Sequence, residues 1–164
     1  MMSMPKGLSL REAFFKKHIV ASTKFQPVVR EGVKDRMPFL KAYFLTLLPF
    51  VVLDAFWLGL VAPRFYKSQI GFIMAKNPNW AAAVVFYLLY IAGVVFFVTN
   101  RGGTPAEAAF RGALFGLVCY ATYDLTNLAT LEGWPVLVTV VDLCWGAFLT
   151  ATTAFSAVWL GRVL

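Results

Sequence analysis

The chain has 164 residues, 60% of them hydrophobic and only 14% charged, with a mean hydropathy of +0.71. A soluble domain carries roughly 25% charged residues, so this composition argues against a water-soluble fold and for an integral membrane protein. The net charge of +7 sits mostly before Phe39; that basic tail runs straight into an apolar span and has no reader motif, which disfavours nucleic acid and leaves anionic lipid as its partner.

Residues 1–38 form a basic cytoplasmic or interfacial tail. Ser9 and Glu12 fit a capping box, and a short helix from Leu10 to about Thr23 could follow as an interfacial anchor; the alternative is a floppy tail that only enforces topology. Lys16, Lys17 and Lys24 would hold it on anionic lipid. Pro27 and Pro38 break any continuous helix into the membrane. His18 is a solvated or interfacial side chain. No cleavable signal peptide is visible, so the first span is expected to double as the insertion signal.

Residues 39–164 read as a membrane domain of four spans. The first runs from about 39 to 61, with Pro49 inside it and Asp54 near its far end. Residues 62–79 read as a loop, with Tyr66, Ile70 and Ile73 spaced for one face of a short surface helix. The second span, about 80–98, has no charge and carries Tyr87 and Tyr90 on a common side. The third, about 108–131, contains Gly112 and Gly116 in a GxxxG stripe that continues to Tyr120, Tyr123 and Asn127. Small residues there let a neighbouring backbone approach closely. The fourth, about 135–160, opens with Pro135 and sets Thr139, Asp142, Gly146 and Thr153 along one side. The expected fold class is therefore all-α, a polytopic four-helix transmembrane bundle with a basic interfacial segment before it. Cys119 and Cys144 fall inside apolar spans and read as small buried hydrophobes. No metal motif is present.

Loop charge places both termini in the cytoplasm. The depths of the acids then agree. Asp54, Asp124 and Asp142 each lie about seven residues from the outer end of a span, or roughly 10 Å below that surface, and Tyr87 falls at the same level. A central aspartate costs roughly 2.5–3.5 kcal/mol on insertion scales. The three acids are thus expected to turn inward, towards one another, Asn127, Tyr87, Tyr120 or water. No arginine or lysine lies deep enough to neutralise them. The missing positive charge must come from a proton, a bound cation or a cationic ligand.

Three segments carry a resemblance: Leu53-Asp54-Ala55-Phe56-Trp57-Leu58-Gly59, Tyr123-Asp124-Leu125-Thr126-Asn127-Leu128-Ala129-Thr130 and Val141-Asp142-Leu143-Cys144-Trp145-Gly146. In this order they resemble the small bacterial predicted membrane proteins grouped as domain of unknown function 2177, over about residues 39–160. The resemblance implies a bacterial inner-membrane protein of four spans. It implies no activity and no cofactor. The tail before Phe39 is an addition to the family's short start.

The first functional reading is a binding or transport protein whose acidic layer takes up a proton, a cation or a cationic lipid headgroup, with Asp54, Asp124, Asp142, Asn127, Tyr87 and Tyr120 around it. A transporter of four helices would need a homodimer, with the GxxxG stripe as an interface; Gly146 would serve helix packing with Gly112 and Gly116. The second is an accessory subunit of a larger membrane complex. The third is a lipid-modifying enzyme using paired carboxylates. An enzyme is the least favoured, because no nucleophile, phosphate-loop or cofactor motif is present.

Overall fold

The computed structural model describes residues 37–164, and every regular element among them is helical. The Ser9–Glu12 capping box, the helix expected after it, the tail lysines and His18 lie outside the described residues. The α-helices are α1 (Phe39–Phe56), α2 (Ala62–Ile70), α3 (Trp80–Phe97), α4 (Pro105–Thr130) and α5 (Val136–Val163).

α1 does not end in a loop. A π-helical turn, Trp57–Val61, joins it to α2, so that Phe39–Ile70 is one helix of 32 residues. This corrects the reading of residues 62–70 as part of a loop, while 71–79 are irregular as expected. The physical reason lies at Pro63, which has no N–H to give and whose ring crowds the carbonyl four residues back in a regular α-turn. The Ala62 N–H bonds Trp57 O, five residues back rather than four. The shift to the wider turn lets the helix pass the proline instead of stopping there.

Three helices are long and apolar enough to cross a bilayer: Phe39–Ile70, Trp80–Arg101 and Val136–Val163. The fourth, α4, has 26 residues, about 39 Å at 1.5 Å per residue. Arg111, Asp124, Asn127 and several threonines dilute its hydropathy. Its outward side still shows Phe110, Leu114, Val118 and Leu125, all exposed, as lipid requires. Thr122, Thr126 and Thr130 on its surface donate back to the carbonyls of Val118, Thr122 and Thr126. Their hydroxyls are thereby satisfied without water.

Local signals set the boundaries. Asn79 caps α3 by accepting from the Ala82 N–H at 3.1 Å. Thr104 and Glu107 form a full capping box on α4, with Pro105 in its first turn. Gly133 takes φ 76° in the turn between α4 and α5, a conformation that L side chains rarely adopt. The α3–α4 connection is held at the end of the bundle where α1 begins and α5 finishes. Arg111 Nη2 donates to Gly102 O at 2.6 Å and Arg162 Nη2 to Gly103 O at 2.8 Å.

The four rods are packed unequally. α4 lies along most of α5, α1 packs on α5 and more lightly on α3, and α3 meets α4 only loosely. The α4–α5 seam is built on glycine. A Cβ on Gly112 would sit 2.6 Å from Thr150 O, one on Gly116 would sit 2.5 Å from Thr150 Oγ1 and closer still to Gly146 O, and one on Gly146 would strike the Tyr120 ring. The GxxxG stripe is thus buried within the chain. It does not supply the interface expected for a homodimer. Cys144 is exposed and Cys119 half-buried, so the expectation of two buried thiols does not hold for Cys144, which faces outward from α5.

Because the atom opposing Gly116 is backbone, Gly116→Ala is expected to lower stability by about 1–3 kcal/mol. Gly59→Ala, whose Cβ meets nothing within 4 Å, should leave the unfolding temperature in detergent nearly unchanged. Equal melting temperatures for the two variants would show that the seam is not close-packed.

Candidate functional site

The glycine seam brings Asp124 and Asp142 together. Gly116 and Asp124 lie eight residues apart on α4, and Gly146 and Asp142 four apart on α5, so each acid shares the face of a seam glycine. The two helices run antiparallel and touch at those glycines. Their acids therefore meet one to two turns further on, towards the Gly133 turn, where both line the same cavity.

Asp54 arrives from α1 and completes a cavity of about 360 Å³, walled also by Tyr66, Tyr87 and Tyr120. All three acids are buried, Asp124 with no exposed surface at all. Tyr87 donates its hydroxyl to Asp54 Oδ2 and Tyr66 donates to Asp142 Oδ1. Asp124 is different: neither of its oxygens has a hydrogen-bond donor among the described residues. A buried carboxylate left without donors or counter-charge costs several kcal/mol. Among the described residues no lysine or arginine lines the cavity.

Of the residues singled out in the sequence, Asp54, Asp124, Asp142, Tyr87 and Tyr120 line this one cavity. Asn127 does not; it is half-buried, about one turn beyond Asp124 and outside the lining. Tyr120 lays its ring against Gly146, so it both packs the seam and forms a wall.

Sequence reasoning missed Tyr66. In an unbroken α-helix the twelve residues from Asp54 to Tyr66 turn about 1200°, leaving the two about 120° apart. The π turn takes up about one extra residue. The effective spacing becomes about eleven, which is close to three whole turns, and both side chains face the same cavity. Tyr66 thus leaves the surface face assigned to it with Ile70 and Ile73. The only signal was Pro63 placed soon after Gly59.

Trp145 was also missed as a wall. The Trp57 and Trp145 rings stack at 4.4 Å with 13° between planes. Their signal is a repeated spacing, Asp54-Ala55-Phe56-Trp57 and Asp142-Leu143-Cys144-Trp145. Three residues on, each tryptophan shares its aspartate's face. The Trp145 Nε1 is buried and unpartnered, like Asp124. Tyr90 closes the inner end, its hydroxyl 2.7 Å from Thr150 Oγ1.

A double-mutant cycle on Tyr66→Phe and Asp142→Asn should give a coupling of about 0.6–1.7 kcal/mol in reversible unfolding, the range of intramembrane hydrogen bonds. Zero coupling would mean that α2 does not dock through Tyr66.

No curated protein and no solved structure matches the chain. A family model described as "Predicted membrane protein (DUF2177)" matches residues 39–159. That stretch holds α1 to α4 and nearly all of α5, together with the three acids, both stacked tryptophans and the seam glycines, and the chain belongs to this predicted membrane protein family.

Proposed function

We propose that the protein binds a cation in the acid cavity, as a membrane binding or transport protein of the bacterial inner membrane. The observation that carries this reading is Asp124. Asp54 and Asp142 are each engaged by a tyrosine and so also brace the bundle. Asp124 braces nothing, since neither oxygen has a donor. An acid kept buried at such cost, beside a second acid and with no basic residue in the lining, is matched by a ligand that brings positive charge. A proton shared with Asp142 is the resting counterpart of the same charge balance.

The positively charged tail, Lys41, Arg101 and Arg162 favour a cytoplasmic position for the end where α1 begins. The cavity, towards the opposite end, then serves the outer side. Anionic lipid at the tail completes this picture.

The test separates a ligand site from a structural knot. Without ligand, Asp124→Asn should unfold at the same temperature as wild type or higher, because it replaces a buried acid to which no described side chain donates. Wild type should be stabilised by at least one chloride salt in a series from sodium to tetramethylammonium; at a hundredfold excess over Kd the gain is about 2.7 kcal/mol. Asp124→Asn should lose that gain. A variant that is less stable without ligand, yet responds to the salts as wild type does, rules the reading out.

A further inference from the structure

A second hollow lies beside the acid cavity, and the two share walls. It occupies about 400 Å³ between α3 and α4 and is lined by Phe86, Leu89, Tyr90, Phe115, Cys119 and Thr122. Phe86, Tyr90 and Cys119 also line the acid cavity. Phe86, Tyr90 and Cys119 thus stand between groove and cavity as a common wall.

Its position follows from the uneven packing. α3 and α4 are neighbours in the chain but meet only loosely. The side chain that spans the gap between them is Phe115. Its ring stacks on Phe97 at 5.9 Å, lies 5.9 Å from Tyr90, and approaches within 3.2 Å of where a Cβ on Gly93 would stand. The groove opens midway along two membrane helices, where the surroundings are hydrocarbon. Leu89 and Phe86 at its mouth are exposed.

Resting on the cation reading above, we propose that the ligand is a membrane amphiphile with a substituted ammonium head, entering sideways between α3 and α4. The head sits in the acid cavity and the first part of its alkyl chain lies in the groove. Three observations support that chemistry. The cavity's acids lack a positive partner in the lining, and Asp124, fully buried and unpartnered, lines it. The rings of Trp57, Trp145, Tyr120 and Phe86 stand around the acids, and aromatic faces with carboxylates attract a bulky organic cation through cation–π contact. The apolar groove on the other side of that common wall gives a tail somewhere to lie that a water-soluble cation would leave unused.

The probes are hexadecyltrimethylammonium, tetramethylammonium and hexadecyl sulfate, added to the whole protein in nonionic micelles. Binding is read from tryptophan fluorescence, which Trp57 and Trp145 report from the cavity wall, and from the melting temperature. Hexadecyltrimethylammonium should bind at least about tenfold more tightly than tetramethylammonium, because its alkyl chain buries apolar area in the groove. Hexadecyl sulfate, with the same tail and the opposite charge, should not bind. Asp124→Asn should lose both ammonium probes. Thr122→Phe or Leu89→Phe, which fill the groove from exposed positions, should weaken the long-chain probe to the level of the short one and leave the short one unchanged.

Equal affinity for the long and short ammonium probes overturns the sideways route but leaves the cation site standing. So does a long-chain affinity untouched by both groove variants. Binding of hexadecyl sulfate as tightly as hexadecyltrimethylammonium shows a tail-driven site and overturns the ammonium assignment. Binding of neither ammonium probe also overturns it, and the salt series on Asp124→Asn then judges the cation reading alone.

Discussion

The contact on which this structure turns is the one between the backbones of α4 and α5. Gly112, Gly116 and Gly146 leave no side chain to separate them. Van der Waals packing has to hold helices together where lipid is as apolar as the protein interior, and a glycine seam gives it the shortest working distance. The same closeness sets Asp124 against Asp142. The acidic pair is thus a consequence of the packing as much as an addition to it, and a bundle with larger residues at the seam would hold its two acids apart.

The π turn plays a comparable part on the other wall. One extra residue in the turn at Trp57–Val61 rotates everything after it, and α2 delivers Tyr66 to the cavity instead of to the surface. A helix that departs from regular geometry beside a polar site is a common arrangement. Here the departure has a definite effect: it recruits a donor for Asp142 and leaves Asp124 without one. The polar layer is consequently uneven: Asp54 and Asp142 are tied by tyrosines, and Asp124 has no side-chain donor among the described residues.

Much of this was legible in the sequence, because the bilayer imposes strong rules. Apolar stretches of spanning length gave the helices, and the cost of burying acids in hydrocarbon predicted that Asp54, Asp124 and Asp142 would turn inward. The depth match for Asp54 assumed a span ending near Val61, whereas the helix runs on to Ile70; what unites the three acids is the cavity wall they share. Rotation was harder to read. It depends on the exact residue count along a turn, so a single π bulge moved Tyr66 from one face to another, and no periodicity analysis of the intact chain would detect that. Asn127 shares a stripe with Tyr120 on paper, but it is half-buried and outside the cavity lining. The α4–α5 seam shows the limit of a motif. GxxxG announced a close helix contact without saying whether the partner was another copy or the next helix in the same chain.

The hydrogen bonds from Arg111 and Arg162 have a mechanical consequence. They fasten the short link between α3 and α4 to two different helices at one face of the membrane. Movement of α3 away from α4 must then pivot about that fastened corner. Parting the helices at the opposite face separates only side chains, whereas parting them at the corner would strip two guanidinium groups of their carbonyls. The fastened corner thus lies at the end of the bundle opposite the acids.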